Sequence, residues 1–584
     1  LFREGVLNRF PPSFFVFTLL FSIGSVGGQE FDESFDLWPV DLKIGGTILL
    51  ANDGIQMEVV NSAISRFAGV KRGSRGKSGD EVDSLPLATC LLGRGDGPLE
   101  KQAMLKSWKL SKKSRFFSFS EGFDVEEFKK PLLDSKLLIL ETGNESLAAC
   151  LAKMIPVRKS IKEFLDGEGV LLARGDAVRL LSRVCPGGEG SHASVSEGLN
   201  LVPDGVIENR FRGEKDELRL KSVLASHPRT VGIGIRPGSC LVLRGRKFFT
   251  FEKGEATFLL SANERLPWRT QTIGVKVKPR NRWDLASNLV DLTEWRRDAI
   301  DRTLPPFPPA RPKPPYVENG TLVIVGGGGM PRNLMREFVE LAGGPEKGKL
   351  VYVPCAEQDS VGESQRTVAM WKAMGVRSAT FVHTKDRVKA NSDAEFLAPL
   401  KEATGIWFGG GRQWNFADSY YGTQAHRLMK EVLARGGVVG GSSAGASVQG
   451  RYMARATPIG NFEIMAPGYE RGGLGFLSGV AIDQHFSQRG RQKDMTRLMA
   501  RHPQLLGIGI DEATAILVRK STARVVGRGK VHFYDRRKPV HPDQPDYTAL
   551  PSGSSYDLKE RKILSDSSLK GEPSEKNDSE PGKD

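Results

Sequence analysis

Short apolar runs alternate with helix-spaced apolar positions along the C-terminal part of the chain. The runs have strand length and lie at 322–325, 349–353, 379–382, 405–408, 438–440, 480–482 and 515–518. Between them, apolar residues recur at helical spacing around 334–341, 428–433 and 495–499. This alternation predicts an α/β fold with a mostly parallel, doubly wound sheet that carries helices on both faces. Such a sheet binds its ligands at the carboxyl ends of the strands.

One sequence pattern occurs twice at long range. A His-Pro pair at 227–228 is followed by Gly-Ile-Gly-Ile at 232–235, and the same order recurs at 502–503 and 507–510. A segment that ends in phenylalanine precedes each pair at the same distance, so the register holds without a gap. The sequence therefore predicts two tandem doubly wound, three-layer domains.

The two copies differ at the residues that could perform chemistry. In the shared register the paired positions are Ser443 with Gly175, within one position, His485 with Arg210, and Glu512 with Pro237. The first copy cannot supply a nucleophile, a base and a carboxylate. We therefore expect it to be a degenerate, non-catalytic domain that pairs with the second copy as an intrachain pseudo-dimer.

Composition suggests where the domains begin and end. Residues 1–29 resemble a signal peptide, and the proline-rich residues 304–317 resemble an extended linker. These bounds give a degenerate domain at 30–303 and a catalytic domain at 318–545. Residues 546–584 are rich in Ser, Lys, Glu, Asp, Gly and Pro, which predicts a disordered tail.

The N-terminal segment combines basic residues with a short apolar run. Arg3 and Arg9 precede the run at 13–23, and small residues follow at 25–28. This order predicts a secretory signal and a secreted or periplasmic protein. The run is shorter than the roughly 20 residues of a membrane span, so no stable span is expected. An uncleaved anchor and a mistranslated upstream stretch remain alternatives.

The chain is basic, with a formal net charge of +15. Such a surface can attract nucleic acid, anionic polymer or membrane. However, the Lys and Arg residues are scattered, and dense runs such as 71–77 have the composition of loops. We therefore expect a solvated surface and no nucleic-acid partner. A non-catalytic protein that captures a polyanion is the alternative class of function.

Cysteine and histidine usage indicates neither a disulfide framework nor a metal site. The five cysteines, at positions 90, 150, 185, 240 and 355, are few and scattered for a chain of this length. There is no CxxC pair and no His-rich spacing. No cofactor and no metal are expected.

The sequence at 441–445 has the form of a nucleophile elbow. The strand-like residues 437–440 enter Gly441-Ser442-Ser443-Ala444-Gly445, which matches the pattern G-x-S-x-G. Small residues on either side let the chain turn sharply, so that the Ser443 hydroxyl projects from the turn. The helix that follows directs backbone N–H groups towards developing negative charge. A Gly/Ser loop without chemistry is the alternative.

A histidine and a carboxylate follow two further predicted strands. His485 comes after the run 480–482 and lies among polar residues, and Glu512 comes after 507–510. We expect Ser443, His485 and Glu512 to meet at strand ends of one sheet. Their order, Ser, His, then acid, differs from that of α/β-hydrolases and argues against the lipase and esterase class.

These three residues predict acyl transfer through a covalent intermediate. His485 would accept the Ser443 proton during attack on a peptide carbonyl, and Glu512 would hold the imidazole tautomer. Backbone N–H groups of Ala444 and of Gly410 or Gly411 would form the oxyanion hole. The four glycines at 326–329 are predicted to form a tight turn from strand to helix.

Four segments resemble the cyanophycinase and dipeptidase E group of serine peptidases. They are 440–446, 483–491, 507–512 and 409–413, and the resemblance covers about 318–535, with only an echo in the first half. The second segment is long, specific and closer to cyanophycinase. The resemblance implies a flavodoxin-like fold of the class I glutamine amidotransferase kind and a serine exopeptidase acting on cyanophycin or aspartyl-linked peptides. It implies a substrate pocket lined by Gln413, Asp483, Gln484, Arg489 and Arg491.

One position departs from the family pattern. Cyanophycinases usually carry an acidic residue before the glutamine of the glycine loop, and this chain has Arg412. A positive charge there would repel an arginine side chain and favour an acidic peptide. The forked guanidinium groups of Arg489 and Arg491 suit a substrate carboxylate, and Asp483 suits a guanidinium. Cyanophycin and small aspartyl dipeptides therefore both remain candidate substrates.

Overall fold

The computed structural model of the chain describes residues 38–39, 43–52, 54–69, 86–92, 98–118, 124–142, 154–186, 195–252, 254–274, 288–354, 362–459 and 463–566. The predicted signal peptide, residues 1–29, lies outside these ranges. Within them, no helix has both the length and the apolar character needed to cross a membrane. The N-terminal half is used below for residues up to 303, and the C-terminal half for the residues that follow.

Strands and helices alternate in the N-terminal half. Its strands are β1 (Ile44–Ala51), β2 (Ala88–Leu92), β3 (Arg115–Ser118), β4 (Leu137–Glu141), β5 (Val170–Arg174), β6 (Val184–Pro186), β7 (Val195–Glu197), β8 (Gly205–Glu208), β9 (Val231–Ile235), β10 (Cys240–Gly245), β11 (Lys247–Phe251), β12 (Ala256–Leu260), β13 (Arg269–Ile273) and β14 (Val290–Asp291). Its helices are α1 (Met57–Phe67), α2 (Pro98–Ser107), α3 (Val125–Asp134), α4 (Arg158–Asp166), α5 (Ala177–Leu180), α6 (Glu214–Ser226) and α7 (Leu292–Asp301).

The C-terminal half has the same kind of alternation. Its strands are β15 (Val317–Val325), β16 (Lys349–Val353), β17 (Ser378–Phe381), β18 (Gly405–Phe408), β19 (Val438–Ser442), β20 (Gly450–Tyr452), β21 (Leu477–Gln484), β22 (Leu506–Ile510), β23 (Thr514–Lys520), β24 (Thr522–Gly527), β25 (Lys530–Asp535), β26 (Thr548–Pro551), β27 (Ser555–Asp557) and β28 (Lys562–Ser565). Its helices are α8 (Leu334–Leu341), α9 (Gly362–Ala373), α10 (Arg387–Ser392), α11 (Ala394–Glu402), α12 (Trp414–Tyr420), α13 (Gln424–Ala434), α14 (Ala444–Ser447) and α15 (Gln492–Arg501). All seven predicted strands and all three predicted helical segments are confirmed.

The large sheet of the C-terminal half is parallel in its centre. Its order is β17-β16-β18-β19-β15-β23-β24-β27-β28, with parallel pairing from β17 to β15 and antiparallel pairing beyond. Alternate residues of the central strands enter two separate apolar cores. Leu322 and Ile324 belong to one core, and Val323 and Val325 belong to the other. Because both faces of these strands are buried, their sequences are continuous apolar runs.

A glycine in the middle of β19 is required by the packing of the neighbouring strand. A Cβ atom at Gly440 would lie 2.4 Å from the indole ring of Trp407 on β18, well inside van der Waals contact. The Trp407 ring therefore packs directly on the backbone of β19. Close packing here fixes the end of β19, and so the position from which the Ser443 turn begins.

A second sheet carries the other two candidate residues. It has the order β20-β21-β22-β25-β26, in which β21 and β22 are parallel and β25 and β26 are antiparallel to their neighbours. His485 follows β21 and Glu512 follows β22, whereas Ser443 follows β19 of the large sheet. The expectation that all three lie on one sheet is therefore wrong. Apolar runs show where strands occur but not which strands share hydrogen bonds.

Two sheets of the N-terminal half have strand orders that correspond to those of the C-terminal half. The large one runs β3-β2-β4-β5-β1-β10-β11-β14, and the small one runs β8-β9-β12-β13. In each half the parallel part of the large sheet has the order third, second, fourth, fifth and first strand. An antiparallel strand then pairs with the first strand, as β10 does with β1 and β23 with β15.

The predicted disordered tail begins too early. Residues 548–565 contribute β26, β27 and β28 to the two sheets of the C-terminal half. Leu550, Tyr556 and Leu558 are buried, and the Tyr556 ring stacks on Phe533 at 4.0 Å. A few apolar residues among many polar ones were sufficient to order this segment, because the existing sheets supplied the remaining apolar surface. The rest of the predicted tail, residues 567–584, lies outside the described residues.

The proline-rich segment packs on the C-terminal half. Phe307 stacks on Tyr452, with ring centroids 6.0 Å apart, and Arg471 donates to the Pro305 carbonyl. Gln504 donates to the Pro308 carbonyl at 3.4 Å. Residues 304–316 have no regular secondary structure, as their proline content predicts, but these contacts hold the first part of the segment against the C-terminal half.

Candidate active site

Ser443 lies at a strained turn between β19 and α14. Its φ is +58° and its ψ is −114°, a conformation that residues with a Cβ rarely adopt. Its N–H donates to the Val325 carbonyl of β15 at 3.0 Å, which fixes the turn to the neighbouring strand. A Cβ at Gly441 would lie 2.3 Å from the Gly445 carbonyl oxygen, and one at Gly445 would lie 2.2 Å from that of Phe408. Both glycines are therefore required by sterics, as the elbow pattern predicts.

Ser443, His485 and Glu512 form a continuous hydrogen-bonded relay. Ser443 Oγ lies 3.0 Å from His485 Nε2, and His485 Nδ1 lies 2.6 Å from Glu512 Oε1. The imidazole is mostly buried, and the Glu512 side chain is one-third exposed. A carboxylate on Nδ1 favours the tautomer with its proton there, so that Nε2 can accept the hydroxyl proton of Ser443. The three residues from two sheets are thus brought together as the sequence predicted.

A glycine loop after β15 packs against the histidine and the carboxylate. A Cβ at Gly327 would lie 2.4 Å from His485 Cε1, and one at Gly328 would lie 2.3 Å from Glu512 Cδ. The Gly326 carbonyl accepts from the His485 N–H at 2.8 Å. Both Gly327 and Gly328 have positive φ. The loop is the predicted tight turn, but sequence reasoning missed its contact with the relay. Four consecutive glycines at a strand end were the available signal.

Asp511 joins the histidine turn to the glutamate turn. Its carboxylate accepts from the Ser487 N–H and from the Lys530 N–H, both at 3.0 Å. Burial alone would raise the pKa of Asp511, but hydrogen bonds from His532, Ser487 and Lys530 lower it to about 2. The carboxylate is therefore ionised at any physiological pH. Asp511 keeps the segments that carry His485 and Glu512 together.

Burial lowers the pKa of His485 below its ordinary value. The positive charges of Arg489 and Arg491 act in the same direction, while the hydrogen bond and charge of Glu512 raise it. A general base must be neutral, so the base form is lost as pH falls through this lowered pKa. We expect kcat/KM to rise with pH along a limb centred below the ordinary histidine pKa. Replacing Arg489 by glutamine should shift that limb to higher pH, because one positive charge is removed.

A pH–rate profile of the wild-type and Arg489→Gln proteins tests this expectation. Lys493→Gln, an exposed cation on the following helix, is the matched control and should leave the limb in place. A wild-type limb above the ordinary histidine pKa would contradict the assignment of His485 as the titrating group.

The predicted oxyanion donors lie beside Ser443. A Cβ at Gly410 would be 3.6 Å from Ser443 Cβ, an ordinary contact distance, so this glycine adjoins the candidate nucleophile. Gly411 follows it with a φ of +129°. Ala444 is the first residue of α14 and is buried. The 409–413 loop and the start of α14 therefore both adjoin Ser443.

Gln413 holds this loop rather than facing a substrate. Its side chain is completely buried, and its Nε2 donates to the carbonyls of Ala454 and Arg455 at 3.0 and 2.6 Å. Gln413 therefore makes a structural contact and does not line the pocket as predicted. The amide anchors the loop to the segment after β20.

Asp483 and Arg491 pair with each other instead of remaining available to a substrate. Asp483 is completely buried, and its carboxylate lies 2.8 Å from Arg491 Nη1 and 2.9 Å from Arg455 Nη2. Removing one member of such a buried ion pair leaves the other as an uncompensated buried charge. Contrary to the prediction, Asp483 and Arg491 are therefore bound to each other and do not each bind a ligand separately. Arg455, which sequence reasoning missed, completes the cluster and also pairs with Asp494 at 2.8 Å.

The remaining predicted pocket residues differ in exposure. Gln484 is buried, and its carbonyl accepts from Arg491 at 2.6 Å. Its side-chain oxygen is buried without a hydrogen-bond partner among the described residues. Arg489 and Arg412 are exposed. Of the two arginines expected to receive a substrate carboxylate, Arg489 alone keeps an exposed side chain.

Comparison with known proteins identifies the family. The model of peptidase family S51 matches residues 322–526. A cyanophycinase of Synechococcus elongatus is 32% identical over 244 residues, which cover 40% of this chain and 73% of that protein. A cyanophycinase of Trichormus variabilis is 29% identical over 222 residues, 37% of this chain and 72% of that protein. The crystal structure of a peptidase from an acI-B1 actinobacterium has a TM-score of 0.32 and 24% identity, covering 41% of this chain and 97% of that one. The chain belongs to peptidase family S51 and is a serine-type peptidase related to the cyanophycinases.

Proposed function

We propose that the chain is a serine exopeptidase that hydrolyses aspartyl-linked peptides through Ser443, His485 and Glu512. The observation that carries this proposal is the pair of hydrogen bonds at 3.0 and 2.6 Å that joins the three side chains. A binding protein has no need for a serine held at a strained turn against an imidazole. Strain of this kind persists where the surrounding structure enforces it for a function.

The reaction begins with proton transfer from Ser443. His485 Nε2 accepts the hydroxyl proton as Oγ attacks the substrate carbonyl, and Glu512 stabilises the imidazolium that forms. The imidazolium then donates its proton to the leaving amine, and an acyl-enzyme ester on Ser443 remains. Water attacks the ester with His485 again as base, which releases the acid product and restores the serine.

The tetrahedral intermediate needs donors for its negative oxygen. Backbone N–H groups of Ala444 and of Gly410 or Gly411 are proposed for this role. Two observations support this role: Gly410 adjoins Ser443, and Ala444 is the first residue of α14. Each such donor typically contributes a factor of about 10² to 10³ in rate.

The charge around the site favours an acidic substrate group. Arg489 is exposed and lies close enough to His485 to lower its pKa, and exposed Arg412 lies in the loop beside Ser443. Asp483, the acidic residue expected to meet a substrate guanidinium, is neutralised by Arg455 and Arg491. We therefore propose that Arg489 contacts an aspartyl carboxylate. Gln413, Asp483 and Arg491 would position the pocket from behind, and Gln484 would line it.

Product analysis distinguishes the two candidate substrates. Cyanophycin is a polymer that carries arginines on an aspartate backbone through isopeptide bonds, whereas a β-aspartyl dipeptide is a single small molecule without that backbone. We expect small aspartyl peptides to be hydrolysed faster than cyanophycin, because the positive charges at the site repel arginine side chains. Mass spectrometry of products from cyanophycin and from α- and β-aspartyl dipeptides tests this. Release of β-aspartyl-arginine as the dominant product would contradict the preference and indicate a cyanophycinase.

We also propose that the N-terminal half is a degenerate tandem copy of the C-terminal half, each a flavodoxin-like three-layer domain. The corresponding strand orders support this. So does the backbone of Gly175, whose φ of +59° matches the +58° of Ser443. Arg210 occupies the place of His485 and pairs with Asp176 at 3.1 Å, next to Gly175. Bounds near 30–303 and 318–545, an intrachain pseudo-dimer and export from the cytoplasm remain parts of this proposal.

A further inference from the structure

The two halves meet at a buried cluster of charged side chains around Asp418. Arg246, from the turn between β10 and β11, and Arg297, from α7, both belong to the N-terminal half. Arg246 Nη1 lies 2.5 Å and Arg297 Nη2 lies 2.8 Å from the carboxylate of Asp418 on α12. Arg297 is completely buried, and Asp418 is 5% exposed in its side chain. Although burial would raise the pKa of Asp418, these two guanidinium groups hold it below its usual value.

Arg246 is bound at every part of its guanidinium group. Besides Asp418 it donates to both carboxylate oxygens of Asp291, at 2.6 and 2.8 Å, and to the Tyr469 hydroxyl at 2.6 Å. It also lies over the Trp414 ring, 4.6 Å from the centroid. The Tyr469 hydroxyl in turn donates to Asp418 at 3.0 Å. Because the guanidinium group of Arg246 is planar and its N–H groups point in set directions, it fixes the direction as well as the distance of each partner.

The helix held by this cluster leads directly from the loop beside Ser443. Trp414 and Asp418 are four residues apart on α12, so both lie on the face that meets Arg246. The residues before Trp414 are the 409–413 loop, in which Gly410 adjoins Ser443. Gln413 fixes the C-terminal side of that loop from within the C-terminal half. The N-terminal half supplies the second support of the same structural unit.

We propose that Arg246 is a positioning residue for peptide hydrolysis: from the N-terminal half, it holds α12 and thereby the Gly410 and Gly411 N–H groups in place for the tetrahedral intermediate. This role rests on the proposed function of Ser443. It gives the non-catalytic half a part in the chemistry. Displacement of an oxyanion donor affects the transition state more than substrate binding, so the expected effect lies in kcat rather than KM.

The N-terminal half contains a matched control for Arg246. Arg269 also binds two carboxylates, Glu294 at 2.8 Å and Asp298 at 2.7 Å, and lies 4.3 Å from the centroid of the Trp295 ring. All of these partners are in the N-terminal half. Lysine keeps the charge at either position but cannot hold two acids and a ring at once. The two variants therefore lose similar interactions, and only one of them loses a contact with α12.

The test compares Arg246→Lys with Arg269→Lys in the full chain, using hydrolysis of an aspartyl peptide and the rate of Ser443 modification by a fluorophosphonate. We expect Arg246→Lys to lower kcat and the modification rate by about 10-fold or more with little change in KM, because a displaced oxyanion donor loses part of the factor of about 10² to 10³ that its complete removal costs. Arg269→Lys should leave both rates close to wild type. If Arg246→Lys does not fold, Tyr469→Phe takes its place in the test. This variant removes one hydroxyl from the cluster and should give a smaller loss of the same kind.

Two results would overturn the positioning role alone. One is a folded Arg246→Lys protein, or in its absence a folded Tyr469→Phe protein, with wild-type kcat and modification rate. The other is an equal loss in Arg246→Lys and Arg269→Lys, which would indicate general destabilisation. A wild-type protein that neither hydrolyses aspartyl peptides nor reacts at Ser443 would overturn the proposed function itself, and this role with it.

Discussion

Replacement of Ser443 by alanine is expected to abolish hydrolysis while the protein remains folded. The change removes the oxygen that forms the acyl-enzyme, and loss of a triad nucleophile typically lowers kcat by about 10⁴ to 10⁶-fold. Alanine keeps a Cβ, which the turn at φ +58° already accommodates, and the hydrogen bond from residue 443 N–H to Val325 is retained. The free energy of unfolding should therefore change by no more than about 1 kcal/mol.

Kinetics with an aspartyl peptide and thermal unfolding of the same preparation measure the two parts of this expectation. Ser442→Ala is the matched control, because it makes the same chemical change one residue earlier, at the end of β19. It should keep most of the wild-type kcat. Near-normal turnover by a folded Ser443→Ala protein would eliminate the proposed mechanism.

Replacement of Gly327 by alanine should inactivate the protein although Ser443, His485 and Glu512 are all unchanged in sequence. The new methyl group would lie 2.4 Å from His485 Cε1 and 2.5 Å from Nε2, so the imidazole must move. A displacement of about 1 Å in a catalytic group can reduce the rate by about 10²-fold. We expect a loss of this size or larger in kcat, measured with the same peptide.

Gly329→Ala separates this clash from backbone strain. Gly329 also has positive φ, at +136°, but the nearest atom to its Cβ would be that of Ala513 at 3.8 Å. Both variants carry the cost of placing alanine at a positive φ. A kcat near wild type for Gly329→Ala and a large loss for Gly327→Ala would establish the contact with His485. Equal losses in the two variants would attribute the effect to strain in the loop.

The sequence predicted the elements of the C-terminal half because its strands are buried on both faces. Continuous apolar runs at 349–353 and 405–408 coincide with β16 and β18 residue for residue. The elbow was predictable for a related reason: a sharp turn between strand and helix accepts few residue types. His485 and Glu512 were found because each lies within three residues of the end of an apolar run. These signals are local in the chain and therefore visible in one sequence.

Pairing between distant residues was not visible in the same way. Asp483 and Arg491 are both polar residues of one segment, and nothing in that segment shows that Arg455 lies 2.9 Å from the same carboxylate. The division of the relay between two sheets depends on which strands share hydrogen bonds. The contact of Gly327 with His485 likewise depends on how the loop after β15 meets the loop after β21. Each is a tertiary property that periodicity and spacing leave undetermined.

The most direct test of the central claim is covalent modification by a fluorophosphonate, mapped by mass spectrometry of peptides. Reaction requires a serine activated by a neutral base, so we predict one modified site, Ser443, in the wild-type protein. The His485→Ala protein should show no modification under the same conditions. No modified peptide should arise from residues 30–303, because that half lacks a serine in the corresponding place. An unmodified Ser443 in active wild-type protein, or modification in the N-terminal half instead, would contradict the account.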